Sequence, residues 1–327
     1  MSFAEKLIAW QRRHGRRGLP WQGTRDPYRI WLSEIMLQQT QVGTVVPYYK
    51  KFLQRFPTAT ALAAASEDDV LRLWSGLGYY ARGRNLRIAA QRIVSQEGFP
   101  GTAADIAELP GVGRSTAAAI AVFAFGERAA ILDGNARRVL ARCFGTEKNL
   151  WALAERLLPK RGVEAYTQAL MDLGATVCTR VPACGRCPVR ARCVARKTGR
   201  IGELPAARPR KALPLKRATW FVYRDRGKVL LERRPSPGIW GGLWCFPETE
   251  DSALRVRSRR ALKPIDHGFT HFRLRIQPLL CYVKPRESPG RLWLDIGDAQ
   301  GAALPTPVKN LLQDLQRTAT PGARRRR

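Results

Sequence analysis

A change in residue pattern near position 196 is the feature that most constrains how this chain of 327 residues can fold. Before it, segments rich in Ala, Leu and Ile recur at helical spacing, separated by breakers such as Phe56-Pro57. Beyond it, apolar and polar residues alternate with the period of a strand, as in 271–278. We therefore predict a mostly α N-terminal domain and an α+β C-terminal domain. The predicted divisions are a helical domain at 1–195, a basic linker with prolines at 196–217, an α+β domain at 218–317 and a basic tail at 318–327.

The charge balance indicates a polyanionic partner. The chain has 57 Lys and Arg against 26 Asp and Glu, a formal net charge of +31. Nucleic acid is the commonest partner of so basic a protein, and the interleaved Trp and Tyr favour it over anionic lipid or a generally Arg-rich composition. Because we identify no signal peptide and no apolar run as long as a membrane span, we expect a cytoplasmic, nucleoid-associated protein.

One carboxylate, Glu34, is predicted to lie inside an apolar helix. Asp26-Pro27 is a strong helix start, with Asp as the cap and Pro at the first helical position. Glu34 follows about two turns later, with Trp31 one turn before it and Leu37 after it. A carboxyl group held against such side chains can have a raised pKa and act as a general acid at neutral pH. The alternative is a solvated surface glutamate.

Two further motifs indicate chemistry on DNA. The Leu109–Gly113 sequence, LPGVG, precedes an Ala-rich helix and predicts a helix–hairpin–helix element at about 107–120, whose free backbone N–H groups can hold a phosphate. A plain helical corner is the alternative. Asp133 follows an apolar run and precedes Gly134. It could stabilise or capture a sugar cation, as paired carboxylates do in glycosidases, or it could be only a helix cap.

Four of the seven cysteines are bunched with the spacing C-x5-C-x2-C-x5-C. In a reducing compartment this favours metal ligation over disulfides. Zinc sites usually pair two short hooks across a longer gap, whereas cubane clusters take four thiolates in runs of this kind. We therefore favour an iron–sulfur cluster over zinc. The four candidate ligands are Cys178, Cys184, Cys187 and Cys193.

Taken together, these motifs resemble adenine DNA glycosylases of the MutY type, within the endonuclease III superfamily. The segments that carry the resemblance are LPWQ (19–22), WLSEIMLQQTQV (31–42), WSGLGYYARGRNL (74–86), LPGVGRSTAAAI (109–120), ILDGNARRVLARC (131–143) and MDLGATVCTR (171–180). In the second domain, WGGLWCFPE (240–248) and FTHFRL (269–274) resemble a Nudix-type recognition module. The resemblance implies a six-helix barrel module, an iron–sulfur cluster module and a Nudix-like C-terminal domain.

The resemblance also implies roles for residues. Glu34 would protonate adenine, Asp133 would stabilise the oxocarbenium ion and Asn135 would support that site. The implied cofactor is a [4Fe–4S] cluster, and the implied partner of the monomeric protein is double-stranded DNA with adenine opposite 8-oxoguanine or guanine. The residues expected to contact DNA or the lesion are Gln38, Gln39, Tyr79, Gly111, Gly113, Ser115, Phe269, Thr270 and His271.

Several positions depart from the family pattern. Some relatives carry arginine where this chain has Gln22, and the usual cluster has six residues between its first two cysteines rather than five. The lesion loop commonly reads Phe-Ser-His, and here Thr270 keeps the hydroxyl. Ser115 stands where strand-cleaving relatives have a lysine nucleophile, so hydrolysis without strand cleavage is favoured.

Three other functions remain open. A pyrimidine-lesion glycosylase with lyase activity is disfavoured by Ser115 and by the second domain. A Nudix hydrolase is disfavoured because the sequence after Glu248 is basic where a magnesium-binding helix would be acidic. A noncatalytic iron–sulfur DNA-binding protein would leave Glu34 and Asp133 together unexplained.

Overall fold

The computed structural model describes residues 1–207, 212–287 and 289–319. Part of the predicted linker (208–211) and nearly all of the predicted tail (320–327) lie outside the described residues. The chain forms two compact units. One comprises Met1–Ala64 and Asn85–Pro209, and the other comprises Ala65–Arg84 and Arg210–Arg327. No helix in the described part of the chain is both long and apolar enough to span a membrane.

Residues 1–197 consist of helices and their connecting loops, in agreement with the helical domain predicted at 1–195. The α-helices are α1 (Phe3–His14), α2 (Pro27–Leu37), α3 (Val42–Arg55), α4 (Ala59–Ala64), α5 (Glu67–Trp74), α6 (Ala81–Ser95), α7 (Ala103–Ala107), α8 (Arg114–Ile120), α9 (Gly134–Phe144), α10 (Leu150–Arg156), α11 (Val163–Thr176) and α12 (Val194–Lys197). A π-helical turn (Ala121–Phe125) follows α8, and two 3₁₀ turns (Cys184–Arg186 and Arg190–Arg192) lie in the cysteine loop.

Helix α2 begins where the sequence predicts. The Asp26 side chain accepts hydrogen bonds from the backbone N–H of Tyr28 at 2.9 Å and of Arg29 at 3.3 Å, and Pro27 occupies the first helical turn. Trp31 and Met36 are fully buried, so packing fixes the rotation of the helix about its axis. A second apolar core in this unit joins α1, α9 and α11, with Leu7, Leu140 and Leu173 fully buried. These two sets of contacts fix the helices that carry the predicted catalytic residues.

The second unit is built on a seven-stranded sheet. Its strands are β1 (Leu215–Asp225), β2 (Lys228–Arg233), β3 (Trp244–Cys245), β4 (Val256–Ala261), β5 (Ile265–Gly268), β6 (Arg273–Val283) and β7 (Arg291–Asp295). The order is β3-β2-β1-β6-β4, with β5 also on β6 and β7 on β2, and β1 and β6 are parallel while the other pairs are antiparallel. Helices α13 (Ile296–Ala299) and α14 (Thr306–Ala319) follow, and the apolar face of α14 is part of the core beneath the sheet.

Two details of this unit bear on the sequence expectations. The predicted hairpin at Asp225-Arg226-Gly227 is confirmed, since Arg224 pairs with Val229 across it. Strand β1 begins at Leu215, within the range predicted as linker, because residues 215–224 pair continuously with β6. Similarly, α14 extends through residue 319, into the start of the predicted tail.

Residues 65–84 belong to the second unit, although the sequence division places them in the helical domain. Leu71 of α5 is fully buried in the core of the sheet unit. Trp244 Nε1 donates to Asp68 at 2.8 Å, and Ser75 Oγ donates to the Leu304 carbonyl at 2.7 Å. The segment is thus attached to the second unit by both apolar packing and hydrogen bonds.

Candidate active site

A cavity of about 1440 Å³ in the first unit gathers most of the predicted catalytic residues. It lies among α2, the loop before it, and the N-terminal ends of α8 and α9. Seven predicted site residues line it: Glu34, Gln38, Gln39, Gly113, Ser115, Asp133 and Asn135. Gly111 and the four cysteines do not line this cavity, and Tyr79, Phe269, Thr270 and His271 belong to the second unit.

The environment of Glu34 favours the protonated carboxyl group. Burial, reinforced by the negative charge of Asp133, raises the pKa of Glu34 to about 7. The guanidinium group of Arg16 acts in the opposite direction and lowers it. Glu34 is therefore half-protonated near neutral pH, as the apolar sequence around it predicts, although the structure adds Asp133 as a second cause.

Arg16 is held beside the site by a buried carboxylate that sequence reasoning did not single out. Its Nε donates to Asp172 Oδ1 at 2.7 Å, and its backbone N–H donates to Asp172 Oδ2 at 3.0 Å. Asp172 is fully buried in α11 and also accepts from Gln168 at 3.0 Å. An acidic residue within the apolar run ALMDLG was the available signal, because a buried carboxylate needs a partner.

Asp133 is both a helix cap and a residue of the cavity. Its Oδ1 accepts a hydrogen bond from the Ala136 backbone N–H at 2.7 Å, so it caps α9. The positive end of the helix dipole stabilises negative charge at this position. Ser115 fixes the approach to it, since its Oγ accepts from the Leu132 backbone N–H at 3.0 Å. The two interpretations of Asp133 from sequence, cap and catalytic group, are therefore compatible.

Asn135 lies beside Asp133 in a closely packed position. Its Oδ1 accepts from Arg138 Nη2 at 2.8 Å, and Arg138 also donates to the Gly174 carbonyl at 2.6 Å. A Cβ atom on Gly174 would lie 2.6 Å from the Cβ of Asn135, closer than real Cβ contacts allow. The glycine of MDLG thus permits α11 to approach Asn135.

The predicted hairpin joins α7 and α8 through a tight turn. Gly111 has a φ of +80°, and a Cβ there would lie 3.0 Å from Asn85, so glycine suits this position on both counts. Gln38 Nε2 donates to the Gly111 carbonyl and to Thr116 Oγ1, each at 3.3 Å, and so attaches α2 to the hairpin. Gln39 follows with a φ of +57° and an exposed side chain.

In the second unit, Tyr79 lies beside the predicted lesion loop. Tyr79 is 48% exposed, has a φ of +48°, and its hydroxyl lies 3.4 Å from that of Thr270. Thr270 and His271 are exposed, whereas Phe269 stacks on Phe272 with ring centroids 4.4 Å apart. The structure thus gives Phe269 an anchoring role, and leaves Thr270 and His271 as the accessible residues of the loop.

Comparison with known proteins agrees with this geometry. Residues 32–161 match the family described as HhH-GPD superfamily base excision DNA repair protein, and residues 219–314 match the NUDIX domain family. Adenine DNA glycosylase of Buchnera aphidicola (subsp. Baizongia pistaciae) is 34% identical over 97% of this chain and 98% of its own length. The human adenine DNA glycosylase is 32% identical over 96% of this chain and 74% of its own length. The chain belongs to the adenine DNA glycosylase family.

Solved structures support the fold of this family. A thermostable thymine-DNA glycosylase superimposes with a TM-score of 0.56 at 31% identity, covering 60% of this chain and 95% of the other. A non-covalent endonuclease III–DNA complex does so with a TM-score of 0.53 at 19% identity, covering 60% and 94%. The predicted fold class, a helical helix–hairpin–helix domain followed by a Nudix-like domain, is confirmed, and the chain is a DNA repair enzyme with adenine glycosylase function.

The four cysteines of this family member lie in the segment after α11, and two of them, Cys178 and Cys193, contact the buried Arg142. Arg142 Nη1 donates to Cys178 Sγ at 3.7 Å and to the Thr179 carbonyl at 2.6 Å, and Cys193 Sγ donates to the Arg142 carbonyl at 3.4 Å. Burial, together with the nearby cysteines, raises the pKa of Cys187 to about 11. Among the described residues, no group of three or more metal-ligating side chains is arranged around a common point. Four thiols within sixteen residues of the sequence nevertheless fit, by their chemistry, a thiolate-bound cluster.

Three carboxylates of the second unit, including Glu248, form ion pairs with arginines. Glu232 lies 3.3 Å from Arg291 Nε, and Glu248 lies 3.0 Å from Arg234 Nη2. Asp251 also pairs with Arg291. After Glu248 the chain continues into the basic strand β4 instead of a carboxylate-rich helix. These ion pairs neutralise the acidic groups, which agrees with the sequence argument against Nudix hydrolysis.

We predict that Glu34→Gln stabilises the protein in a pH-dependent way. The pKa of Glu34 is raised from 4.5 to about 7, so the folded state binds this proton more tightly, and wild-type stability falls as pH rises through that interval. Replacing the carboxyl group by a neutral amide removes the free-energy cost of ionising Glu34 in the folded state. At pH 8 the gain in free energy of unfolding should be roughly 3 kcal/mol, from about 1.4 kcal/mol per pKa unit, and near pH 4.5 it should largely disappear.

Urea unfolding of both proteins at the two pH values measures this difference. Glu108→Gln, at an exposed position in the same unit, is the matched control and should show no such pH-dependent gain. Equal stability changes for Glu34→Gln at both pH values would contradict the raised pKa.

Proposed function

We propose that this enzyme hydrolyses the N-glycosidic bond of adenine placed opposite 8-oxoguanine or guanine in duplex DNA. The observation that carries the proposal is the pair Glu34 and Asp133 in one cavity, with the pKa of Glu34 raised to about 7. A neutral carboxylic acid and a carboxylate together supply the acid and the charge stabilisation that glycosidic cleavage requires. Glu34 and Asp133 are 99 positions apart in the sequence, and folding brings both to the same cavity.

In the proposed mechanism the target adenine leaves the base stack and enters the cavity, whose volume of about 1440 Å³ is ample for a nucleotide. Glu34 donates its proton to a ring nitrogen, so adenine departs as a neutral base. Asp133 stabilises the positive charge that develops on the sugar, with Asn135 held beside it by Arg138. Glu34, now ionised, accepts a proton from the water that attacks the sugar.

The geometry of Ser115 supports hydrolysis without strand cleavage. Its hydroxyl oxygen accepts a hydrogen bond from the Leu132 backbone N–H and so positions the chain before Asp133. A lyase needs an amine that attacks the sugar and forms a Schiff base, and a serine hydroxyl cannot form one. Backbone N–H groups of the hairpin turn near Gly113 would hold a phosphate of the same duplex.

We further propose that Cys178, Cys184, Cys187 and Cys193 hold a [4Fe–4S] cluster, in which the thiolates ligate iron. Arg142 would support this loop through its hydrogen bonds to Cys178 and Thr179. The role assigned to these residues is to fix the fold of the loop after α11.

We expect iron and acid-labile sulfide near four of each per chain in protein purified without oxygen. Cys187→Ser should reduce both, because one thiolate is lost, while Cys143→Ser should leave them unchanged. Cys143 is a buried cysteine outside the proposed ligand set and is the matched control. Zinc in place of iron, or full iron content in Cys187→Ser, would contradict the assignment.

For lesion preference, we propose that the exposed residues Thr270 and His271 contact 8-oxoguanine and that Tyr79 stacks beside it. Thr270→Ala should lower the ratio of adenine excision rates opposite 8-oxoguanine and opposite guanine several-fold, because a hydroxyl hydrogen bond is lost. Thr270→Ser, which keeps the hydroxyl, should retain the ratio. Single-turnover rates on the two duplexes measure it, and equal losses in both variants would remove the hydroxyl from this role.

The central test uses duplexes with adenine opposite 8-oxoguanine, guanine or thymine, analysed with and without alkali. The wild-type enzyme should release adenine fastest opposite 8-oxoguanine, and strands should break only after alkali. Glu34→Gln should lose at least 100-fold in rate, roughly the contribution of general acid catalysis, while binding the lesion duplex as before. Breakage without alkali would favour a lyase, and substantial turnover by Glu34→Gln would remove Glu34 from the acid role.

A further inference from the structure

One face of the sheet in the second unit carries arginines on neighbouring strands. In the parallel pair of β1 and β6, Arg217 lies directly opposite Arg275, and Arg273 lies opposite Leu215. Residues two apart on a strand share a face, so Arg217, Arg273 and Arg275 project from the same side of the sheet. All three are exposed. We call these three residues the basic sheet face.

The same face is apolar at its other end. Farther along the two strands, Phe221, Tyr223 and Cys281 are buried in an apolar cluster. At the basic end of the face, beside Arg217 and Arg275, lies a depression of about 390 Å³. Its lining consists of Arg217, Ala218, Thr219, Pro264, Arg275 and Gln277. The basic end of the face is therefore a polar concavity with several hydrogen-bond donors.

Folding alone does not account for these charges. Like charges directly opposite each other on adjacent strands destabilise a sheet. Asp266 offsets one of them, because Arg275 donates to its two carboxylate oxygens at 2.8 and 2.9 Å. Arg217 and Arg273 form no ion pair with any of the described residues. Arg273 is also close enough to Asp266 to help lower the pKa of that carboxyl group. Among the described residues of this face, one carboxylate thus faces three guanidinium groups, which leaves an excess of positive charge.

Protection of a sheet edge is the usual structural reason for charged residues on strands. It does not apply to β6, which pairs with β1 on one side and with β5 on the other at the level of Arg273 and Arg275. Arg217 lies on a part of β1 for which the described pairing is with β6, since β2 pairs with β1 at Arg224 and Asp225. Edge protection is therefore excluded for Arg273 and Arg275 and not for Arg217. The positive surface of the internal strand β6 instead suits an anionic partner.

The position of the basic sheet face favours DNA as that partner. Arg273 follows His271 by two residues, so this face begins where the predicted lesion loop ends. Successive same-face residues on β6 are about 7 Å apart, which extends the positive surface away from the loop along the strand. Arginine suits phosphate because its guanidinium group can donate two parallel hydrogen bonds.

We propose that the basic sheet face binds the phosphate backbone of duplex DNA beside the lesion loop. Contacts to phosphates position a duplex without reading its sequence. The face would therefore hold the DNA while the loop inspects the base opposite adenine. This inference rests on the proposed function for the choice of duplex DNA as the ligand, but it concerns residues outside the loop and outside the cavity.

The test compares Arg217→Gln/Arg273→Gln with Lys309→Gln/Arg317→Gln, in the full-length protein with its natural cofactor content. Both double variants remove two positive charges from exposed positions of the second unit, and the control pair lies on α14. Dissociation constants for an undamaged duplex and for one with adenine opposite 8-oxoguanine are measured from 50 to 200 mM salt. Thermal unfolding checks that both variants fold.

If the proposal holds, Arg217→Gln/Arg273→Gln should weaken binding of both duplexes by a similar factor, about ten-fold or more at low salt. It should also reduce the slope of log K against log salt by about 1.8, at roughly 0.9 per phosphate contact. Arg217→Lys/Arg273→Lys, which keeps the charges, should restore most of the slope. The control pair should change neither quantity appreciably.

A slope and affinity equal to those of the control pair would overturn the proposal. Binding to vesicles rich in phosphatidylserine is measured in parallel. If Arg217→Gln/Arg273→Gln weakened binding to these vesicles and left binding to DNA unchanged, the face would be a lipid-binding surface and the proposal would be overturned. Because the main measurement uses undamaged duplex, it does not depend on adenine excision. A failure of the glycosylase assay would therefore refute the proposed function separately from this surface.

Discussion

The proximity of two carboxylates, Glu34 and Asp133, is the constraint on which the site depends. Burial and like charge both oppose ionisation of Glu34, and together they raise its pKa to about 7. An unfolded chain would separate the two groups, so the folded chain has to hold them together against a free-energy cost. The fully buried side chains of α2 and the cap at the start of α9 supply that restraint. The packing that holds Glu34 near Asp133 is therefore also what favours the protonated form of Glu34.

Arg16 limits the rise in the pKa of Glu34. Its positive charge lowers the pKa of Glu34 and so acts against burial and Asp133. Asp172 fixes the guanidinium through a hydrogen bond of 2.7 Å, and because Asp172 is fully buried, removing either partner would leave an unpaired charge. The position of this ion pair keeps the carboxyl group of Glu34 close to half-protonation at neutral pH. A general acid works best when its pKa lies near the working pH, and the geometry fits that requirement.

Local sequence signals predicted local structure well. The Asp26-Pro27 cap and the hairpin turn after Asp225 occur where the sequence places them, because each depends on conformational preferences of a few adjacent residues. Contacts between distant segments were not predictable in this way. Leu71 lies in the core of the sheet unit, about 150 residues before its strand neighbours, and its helical periodicity does not reveal which core it joins. The ion pair of Arg16 and Asp172 was not predicted either, because its partners are 156 positions apart and no local pattern links them.

Backbone conformation adds an argument that residue types alone could not supply. Gln39 and Tyr79, both expected to contact DNA or the lesion, have φ values of +57° and +48°. Non-glycine residues in this left-handed region cost about 1 kcal/mol or more each, and such strain concentrates at functional sites. Gln39 is exposed and Tyr79 is half-exposed, so neither gains burial that would offset the cost. The exposed residues Glu97, Asn149 and Arg226 also have positive φ values. At Gln39 and Tyr79 this strain coincides with a planar amide and an aromatic ring, which are the types of group that can replace a base in a stack.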